Sequence, residues 1–288
     1  MLLGDQNAWV LRVSWPHKRT TQVEREAAVL AHLRTHPALP AVPSACPTHS
    51  GQPYLRTDDG RWLHLFERID GTTTTAHDSV GPALRALASL HGALAKLPVK
   101  ETSPVAWLLE RHRRVTARPA PPMARTLAVH YANVLERIGA CLVASADRIL
   151  GPAQWLHGDY HPGNLLFNES RVSGIVDFDE VGSGSPTLEL AFALFAFSRN
   201  VFCEERFEFD PALWVQGLHA YAGAHGHFDT AWLLRHRDDL CSLFCIDQIL
   251  IHLEAAQRGL WSLTPGIGFH ACWHHLQTPC VSSLSNNA

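Results

Sequence analysis

The segment from Trp155 to Glu180 reads WLHGDYHPGNLLFNESRVSGIVDFDE, with Asp159 and Asn164 five residues apart and Asp177 thirteen beyond Asn164. These residue types suit phosphoryl transfer, which asks a protein for hard oxygen ligands on Mg2+ and a separate carboxylate beside the attacking hydroxyl. Asn164 and Asp177 would take the metal. Asp159 would accept a hydrogen bond from the hydroxyl and take its proton as the bond to phosphorus forms, with positioning and charge neutralisation supplying most of the acceleration. Asp and Asn also favour caps and turns, but turn formation does not call for all three at these spacings. Asp179 reads at least as readily as a solvated or turn carboxylate as a second metal contact.

The flanking elements must bring the three together. Pro162-Gly163 marks a turn, and Asn164 to Phe167 and Val172 to Val176 are short apolar strands joined by Asn168-Glu169-Ser170-Arg171. Such a hairpin folds Asp177 back toward Asn164. Upstream, Val10 to Val13 alternates like a strand, and Gln22 to Leu33 has helical spacing. A hairpin is expected from Pro53-Tyr54-Leu55-Arg56 and Trp62 to Phe66 about the turn Asp58-Asp59-Gly60. From Val80 onward the pattern is helical, with helices predicted over about 104–114, 122–148, 186–199, 211–225, 230–258 and 267–277, interrupted only by the strand-rich island at 155–177. Ser185-Pro186 reads as a helix start. The lobe boundary is placed near Ile69 to Gly71.

The string H-G-D-Y-H-P-G-N-L-L-F followed by G-I-V-D-F-D-E resembles the aminoglycoside phosphotransferase family, relatives of choline and homoserine kinases, and its D-x-x-x-x-N spacing is that of the protein-kinase catalytic loop. The resemblance implies an α+β, bilobal, protein-kinase-like fold: residues 1–70 as a nucleotide-binding, β-rich lobe and 71–288 as a mostly helical catalytic and acceptor lobe. It implies Asp159 as catalytic base, Asn164 and Asp177 as magnesium ligands and His157 as a support for the loop. Val10 to Val13 resembles the strand that presents a phosphate-binding lysine, here Arg12, and Arg25 to Leu30 resembles the helix whose Glu, here Glu26, pairs with it. The run Leu65-Phe66-Glu67-Arg68-Ile69-Asp70-Gly71 is similar to the hinge that holds adenine through its backbone, which puts Phe66 and Arg68 beside the nucleotide. Two departures stand out. Arg12 keeps the charge of the expected lysine but not its point-charge geometry. Only eleven residues precede Arg12, so the N-terminal lobe is expected to be shortened, with the first hairpin and its phosphate-covering loop missing and Gly4 to Asn7 as the turn before the present strand.

The expected reaction is transfer of the γ-phosphoryl of ATP or GTP, with Mg2+, to a hydroxyl of a small acceptor, aminoglycoside-like or related. The rival is a catalytically inactive kinase-like binding protein lacking the phosphate-covering loop. At 288 residues and 46% hydrophobic types the chain buries a sizeable core, and a net charge of -3 gives no basic footprint for nucleic acid. Seven irregularly spaced cysteines read as reduced thiols of a cytoplasmic protein. The longest apolar stretch, roughly Leu188 to Phe197, is about half a bilayer span, so no membrane partner is expected. A cationic acceptor would need acidic groups such as Glu204, Glu205, Glu208, Asp238, Asp239, Asp247 or Glu254, residues that surface solubility explains equally well. The pairs Cys241/Cys245 and His270/His274 have chelating spacing but read as core and surface residues, and the aromatics Trp214, Tyr221, Phe228, Trp232, Phe244, Trp261, Phe269 and Trp273 read mostly as core.

Overall fold

The computed structural model describes residues 2–3, 8–15, 18–74, 77–100, 103–122, 131–146, 148–149, 152–201, 207–226 and 228–261. The turn expected at Gly4 to Asn7, the helix at 267–277 with Phe269, His270, Trp273 and His274, part of the helix at 122–148, and Glu204 and Glu205 lie outside these residues. By contact the chain forms two compact units. One comprises Met1–Pro98, Trp155–Gly182 and Ala220–Gly226; the other comprises Val99–Gln154, Ser183–His219 and His227–Ala288.

The first unit is built on a four-stranded antiparallel sheet of β1 (Leu2–Leu3), β2 (Trp9–Val13), β3 (Leu55–Arg56) and β4 (Trp62–Glu67), in the order β1-β2-β4-β3. Two-residue alternation sets its faces. Trp62, His64 and Phe66 on β4 are buried, while Leu63 and Leu65 are half-buried. The register pairs Arg12 with His64 and Val10 with Phe66, so Arg12 shares the buried face of β4. The predicted hairpin forms, although β3 begins only at Leu55.

Helix α1 (Thr20–Leu33) buries Val23, Glu26, Val29, Leu30 and Leu33, the i, i+3, i+7 stripe that an amphipathic helix turns toward a core. Glu26 is the charged member of that stripe. Helix α2 (Val80–Leu94) is apolar on most sides and buries Val80, Ala83, Leu84, Leu87, Leu90 and Leu94. His32 of α1 contacts the Ala93 carbonyl through Nε2 at 3.0 Å, and His91 of α2 reaches the Tyr221 hydroxyl at 2.7 Å.

After β5 (Gln154–Leu156), the island forms the expected hairpin of β6 (Leu165–Asn168) and β7 (Arg171–Ile175), in antiparallel register Leu165↔Ile175. It is clasped on both sides. Ala41 exchanges backbone hydrogen bonds with Ser173 and Ile175 at 3.0 and 2.9 Å, and Thr72 pairs with Phe167 at 2.8 and 2.9 Å. Gly71 allows the second contact: at φ 140 a Cβ there would lie 2.4 Å from Ser173 Oγ and 3.0 Å from the Phe167 carbonyl oxygen.

The second unit holds β8's Ser183 and Gly184 (β8, Gly182–Gly184), α3 (Ala106–Thr116), α4 (Tyr131–Ala146), α5 (Pro186–Ser198), the first part of α6 (Pro211–His225), α7 (Thr230–Arg235) and α8 (Arg237–Gln257). Ser185 is the N-cap of α5 with Pro186 in its first turn, as expected. Phe195 of α5 is surrounded by Phe209, Trp214 and Phe244 at ring separations of 5.1 to 5.8 Å, an edge-and-tilt cluster typical of aromatic cores. The single helix predicted over 230–258 is two, broken at His236, whose backbone at φ -102, ψ 13 caps α7 and starts α8. Trp261, expected in the core, is 55% exposed: it follows the end of α8 and meets the His252 ring at a tilt, with centroids 5.4 Å apart. Of the acidic candidates, Asp247 and Glu254 are buried: Asp247 pairs with Arg111, and Glu254 pairs with Arg114 at 3.0 Å and Arg258 at 2.5 Å. Arginines on the apolar face of α3 draw these carboxylates inward, away from any soluble cation. Among the described residues no helix is long and apolar enough to cross a membrane.

Candidate active site

The loop between β5 and β6 is held from beneath by His157, which is fully buried. Its Nδ1 accepts from the Asp159 N–H at 3.3 Å, so the ring proton sits on Nε2 and is donated to the Val176 carbonyl at 3.0 Å. One imidazole therefore ties the backbone of Asp159 to that of Val176, the residue before Asp177. Gly158 is required between them. At φ 83 a Cβ would lie 2.0 Å from the Glu180 carbonyl oxygen. Tyr160 anchors the loop to α2 by donating its hydroxyl to the Ala83 carbonyl at 2.7 Å.

Asn164 closes the loop. Its side-chain NH2 donates to the Asp159 carbonyl at 2.9 Å and to Asp159 Oδ2 at 3.3 Å, and its backbone carbonyl accepts from the Val176 N–H at 2.9 Å. With the amide nitrogen committed to Asp159, the amide oxygen is the atom left to ligate. His161 accepts the Gly163 N–H at Nδ1, 3.0 Å, which puts its proton on Nε2, 3.5 Å from Asp159 Oδ2.

Asp177 follows β7 in the left-handed region, φ 62 and ψ 64, an uncommon conformation for a residue other than glycine. Protein packed about its half-exposed carboxylate, then Asp179 and Asp159, push its pKa above the usual carboxylate range, with Arg12 and His157 opposing. A cation would relieve this crowding of like charge. Among the described residues no three His, Cys, Asp or Glu side chains form a metal-holding group. One carboxylate with one amide oxygen suits Mg2+, which takes few protein ligands and completes its shell with phosphates and water. The residues present thus fit a nucleotide-borne divalent cation.

Opposite Asp177 stands a box of alternating charge. Arg12 pairs with Glu26 at 2.5 Å and Asp179 at 3.2 Å and approaches Asp177 at 4.0 Å. Lys18 pairs with Glu26 at 3.0 Å and Asp179 at 2.6 Å. Burial opposes each charge. It is outweighed by the partners, so Arg12 is held above its ordinary pKa, chiefly by Glu26 and Asp179, and Glu26 below the usual range by Arg12 and Lys18. The Arg12 guanidinium lies 5.2 Å from the Phe66 ring centroid, and His64 stacks on that ring at 5.5 Å.

Of the seven residues singled out from the sequence, Asp159 and Asn164 are in contact, and Arg12, Glu26 and Asp177 converge with Phe66 under the guanidinium. Arg68 is different: it is exposed, and its ion pair is with Asp70 at 3.4 Å. Sequence reasoning missed Lys18, and it left Asp179 open between a solvated or turn carboxylate and a second metal contact, whereas two cations hold it. The available signal was a lysine placed just ahead of the helix that bears Glu26.

A model of the phosphotransferase enzyme family matches residues 2–236. A homoserine kinase of Pseudomonas aeruginosa is 30% identical over 223 residues, covering 75% of this chain, and the chain spans 65% of that relative's length. An amicoumacin kinase solved in complex with AMP-PNP, Ca2+ and Ami is similar in structure, with a TM-score of 0.68 at 13% identity over 97% of this chain and 86% of that one. A microcompartment-associated aminopropanol kinase gives a TM-score of 0.61 at 18% identity over 96% of this chain and 86% of that one. The fold is protein-kinase-like, with a small β-rich N-terminal part and a mostly helical remainder.

Proposed function

This chain belongs to the phosphotransferase enzyme family, and we propose that it is a cytoplasmic small-molecule kinase that transfers the γ-phosphoryl of ATP, or GTP, to a hydroxyl of a small amine-bearing acceptor. The single observation behind the reading is the hydrogen-bonded pair of Asn164 and Asp159 beside a left-handed Asp177. Asp159 accepts the acceptor hydroxyl's hydrogen bond and takes its proton. Residues 1 to about 70 bind the nucleotide, with Arg12 and Glu26 at the phosphates and the chain from Phe66 through Arg68 at the base. Asn164 and Asp177 would hold Mg2+, which when bound neutralises charge on the phosphates. His157 keeps Asp159 and Asp177 in register, and Lys18 and Asp179 brace Arg12.

An amine-bearing acceptor is favoured because homoserine and aminopropanol, named for two of the similar proteins, each carry an amine near a hydroxyl. Release of ADP from Mg-ATP, followed with homoserine, aminopropanol and an aminoglycoside, tests the reading, with 31P NMR identifying the product. Acceptor-dependent ADP release that falls about 10²- to 10⁴-fold in Asp159→Asn supports it. Nucleotide binding with no transfer to any acceptor would favour the binding-protein reading instead.

A further inference from the structure

Protein kinases place one lysine against one glutamate, and that lysine both contacts phosphate and fixes the helix that bears the glutamate. Here two cations meet one glutamate. Glu26 Oε1 takes Arg12 and Oε2 takes Lys18, and the same two cations meet again on Asp179. The four charges balance. Their surroundings differ: the Lys18 side chain is fully enclosed, whereas Arg12 keeps 23% of its side chain exposed and is the one that approaches Asp177.

The enclosure fixes what Lys18 is able to do. Two of its three ammonium donors are taken by Glu26 and Asp179, the ammonium lies 5.2 Å from the Trp15 ring centroid, and its backbone carbonyl accepts the Trp62 indole N–H at 2.9 Å. Reaching a phosphate would break both ion pairs and leave two carboxylates crowded on Arg12. Glu26 lies on α1, and Asp179 lies in the turn that follows Asp177, Phe178–Glu180. Lys18 therefore bonds a helix to the segment that presents the candidate metal ligand. Arg25 adds a second link between the same elements, donating to the Val181 carbonyl at 3.0 Å.

We propose that the two duties are divided in this chain: Lys18 is a positioning residue that ties α1 to the Asp177–Asp179 segment, and Arg12, which shares both carboxylates with Lys18 and keeps part of its side chain exposed, is the cation that meets the nucleotide phosphates. The inference rests on the kinase reading for its nucleotide half; the tie between α1 and the Asp177 segment stands on the ion pairs alone.

Four variants of the full chain separate the roles: Lys18→Met, Lys18→Met with Asp179→Asn, Arg12→Met and Arg12→Lys. Each is read by AMP-PNP binding with Mg2+, by kcat and KM for ATP, and by hydrogen exchange of residues 20–33 and 176–182 without nucleotide. The paired variant keeps charge balanced should Lys18→Met alone fail to fold. Arg12→Met is expected to raise KM and Kd for nucleotide about 10- to 100-fold, the worth of a charge-assisted hydrogen bond, with exchange in 176–182 rising less than in the Lys18 variants, since Lys18 still holds Glu26 and Asp179; Arg12→Lys recovers part of the affinity. Both Lys18 variants are expected to speed exchange in 176–182 and along α1 and to lower kcat about 10-fold or more, with nucleotide Kd within about 3-fold of the parent. Unchanged exchange in the Lys18 variants, or a nucleotide Kd that worsens as much as in Arg12→Met, overturns the division. If the parent chain binds no AMP-PNP, the kinase reading and the Arg12 half fall together, and the exchange data alone decide the tie.

Discussion

The side-chain amide of Asn164 donates to both the main-chain carbonyl and the Oδ2 of Asp159, at 2.9 and 3.3 Å. The same residue that would offer an oxygen to a cation thus aims the carboxylate that would take the proton. Asn164→Asp keeps an oxygen for the metal but replaces the donor with a second carboxylate. We expect kcat to fall about 10²-fold and the acid limb of the pH–rate profile to move to higher pH, since like charge raises the proton affinity of Asp159. A pH series of ADP release checks both.

Asp177 sets function against stability. A carboxyl whose pKa is raised on folding favours the folded state when protonated, and that advantage is lost as pH rises through the folded value. At neutral pH the charged Asp177 is therefore a liability. Asparagine is at ease in the left-handed region and carries no charge. Asp177→Asn is expected to raise the melting temperature by roughly 1–3 °C without Mg2+ while abolishing Mg2+-dependent nucleotide binding. Differential scanning fluorimetry with and without Mg-AMP-PNP reads both effects.

His64 gives the first unit an acid-sensitive element. Burial, then the Arg12 charge, push its pKa down to about 4 from 6.5, and its Nε2 is buried without a hydrogen-bond partner. The folded state holds the neutral ring. Stability is full above pH 6.5 and is lost as pH falls toward about 4, by about 2–3 kcal/mol. His225 and His252, also held below 6.5, act in the same sense. His64→Phe should flatten part of the decline in urea-unfolding free energy between pH 7 and 5; a decline as steep as the parent's would contradict the assignment.

Arg111 and Asp247 form a buried ion pair in the second unit, with side chains 2% and 6% exposed. Removing one member takes from the other the opposite charge it meets in the core. Asp247→Ala is expected to cost about 3–5 kcal/mol, and Arg111→Met with Asp247→Leu to recover most of it. Urea unfolding of the three proteins gives the comparison.

The chemistry of the island was legible because it is local. Asp159, Asn164 and Asp177 lie within nineteen residues, and a Pro-Gly turn and a short apolar hairpin are enough to bring them together. Glu26 was legible only through the resemblance of Arg25 to Leu30 to the family's helix; by periodicity alone it read as an exposed charge. Lys18 was not: it sits in the irregular connection ahead of α1, and its partner Asp179 is 161 residues away. The break at His236 carried no Gly or Pro to mark it. Asp247 and Glu254 looked like surface acids because their burial depends on Arg111 and Arg114 of α3 and on Arg118 just beyond its end, which face them only after folding. Nothing in the residue pattern said that the island would join the first 98 residues in one compact unit.

The most direct measurement is isothermal titration of the 288-residue chain with AMP-PNP, with and without Mg2+, beside Asp177→Ala. Saturable binding that requires Mg2+ and weakens at least 10-fold in the variant is the predicted result. Equal binding with and without Mg2+, unaffected by the variant, or no binding under either condition, would contradict the assignment of this site to a metal-borne nucleotide.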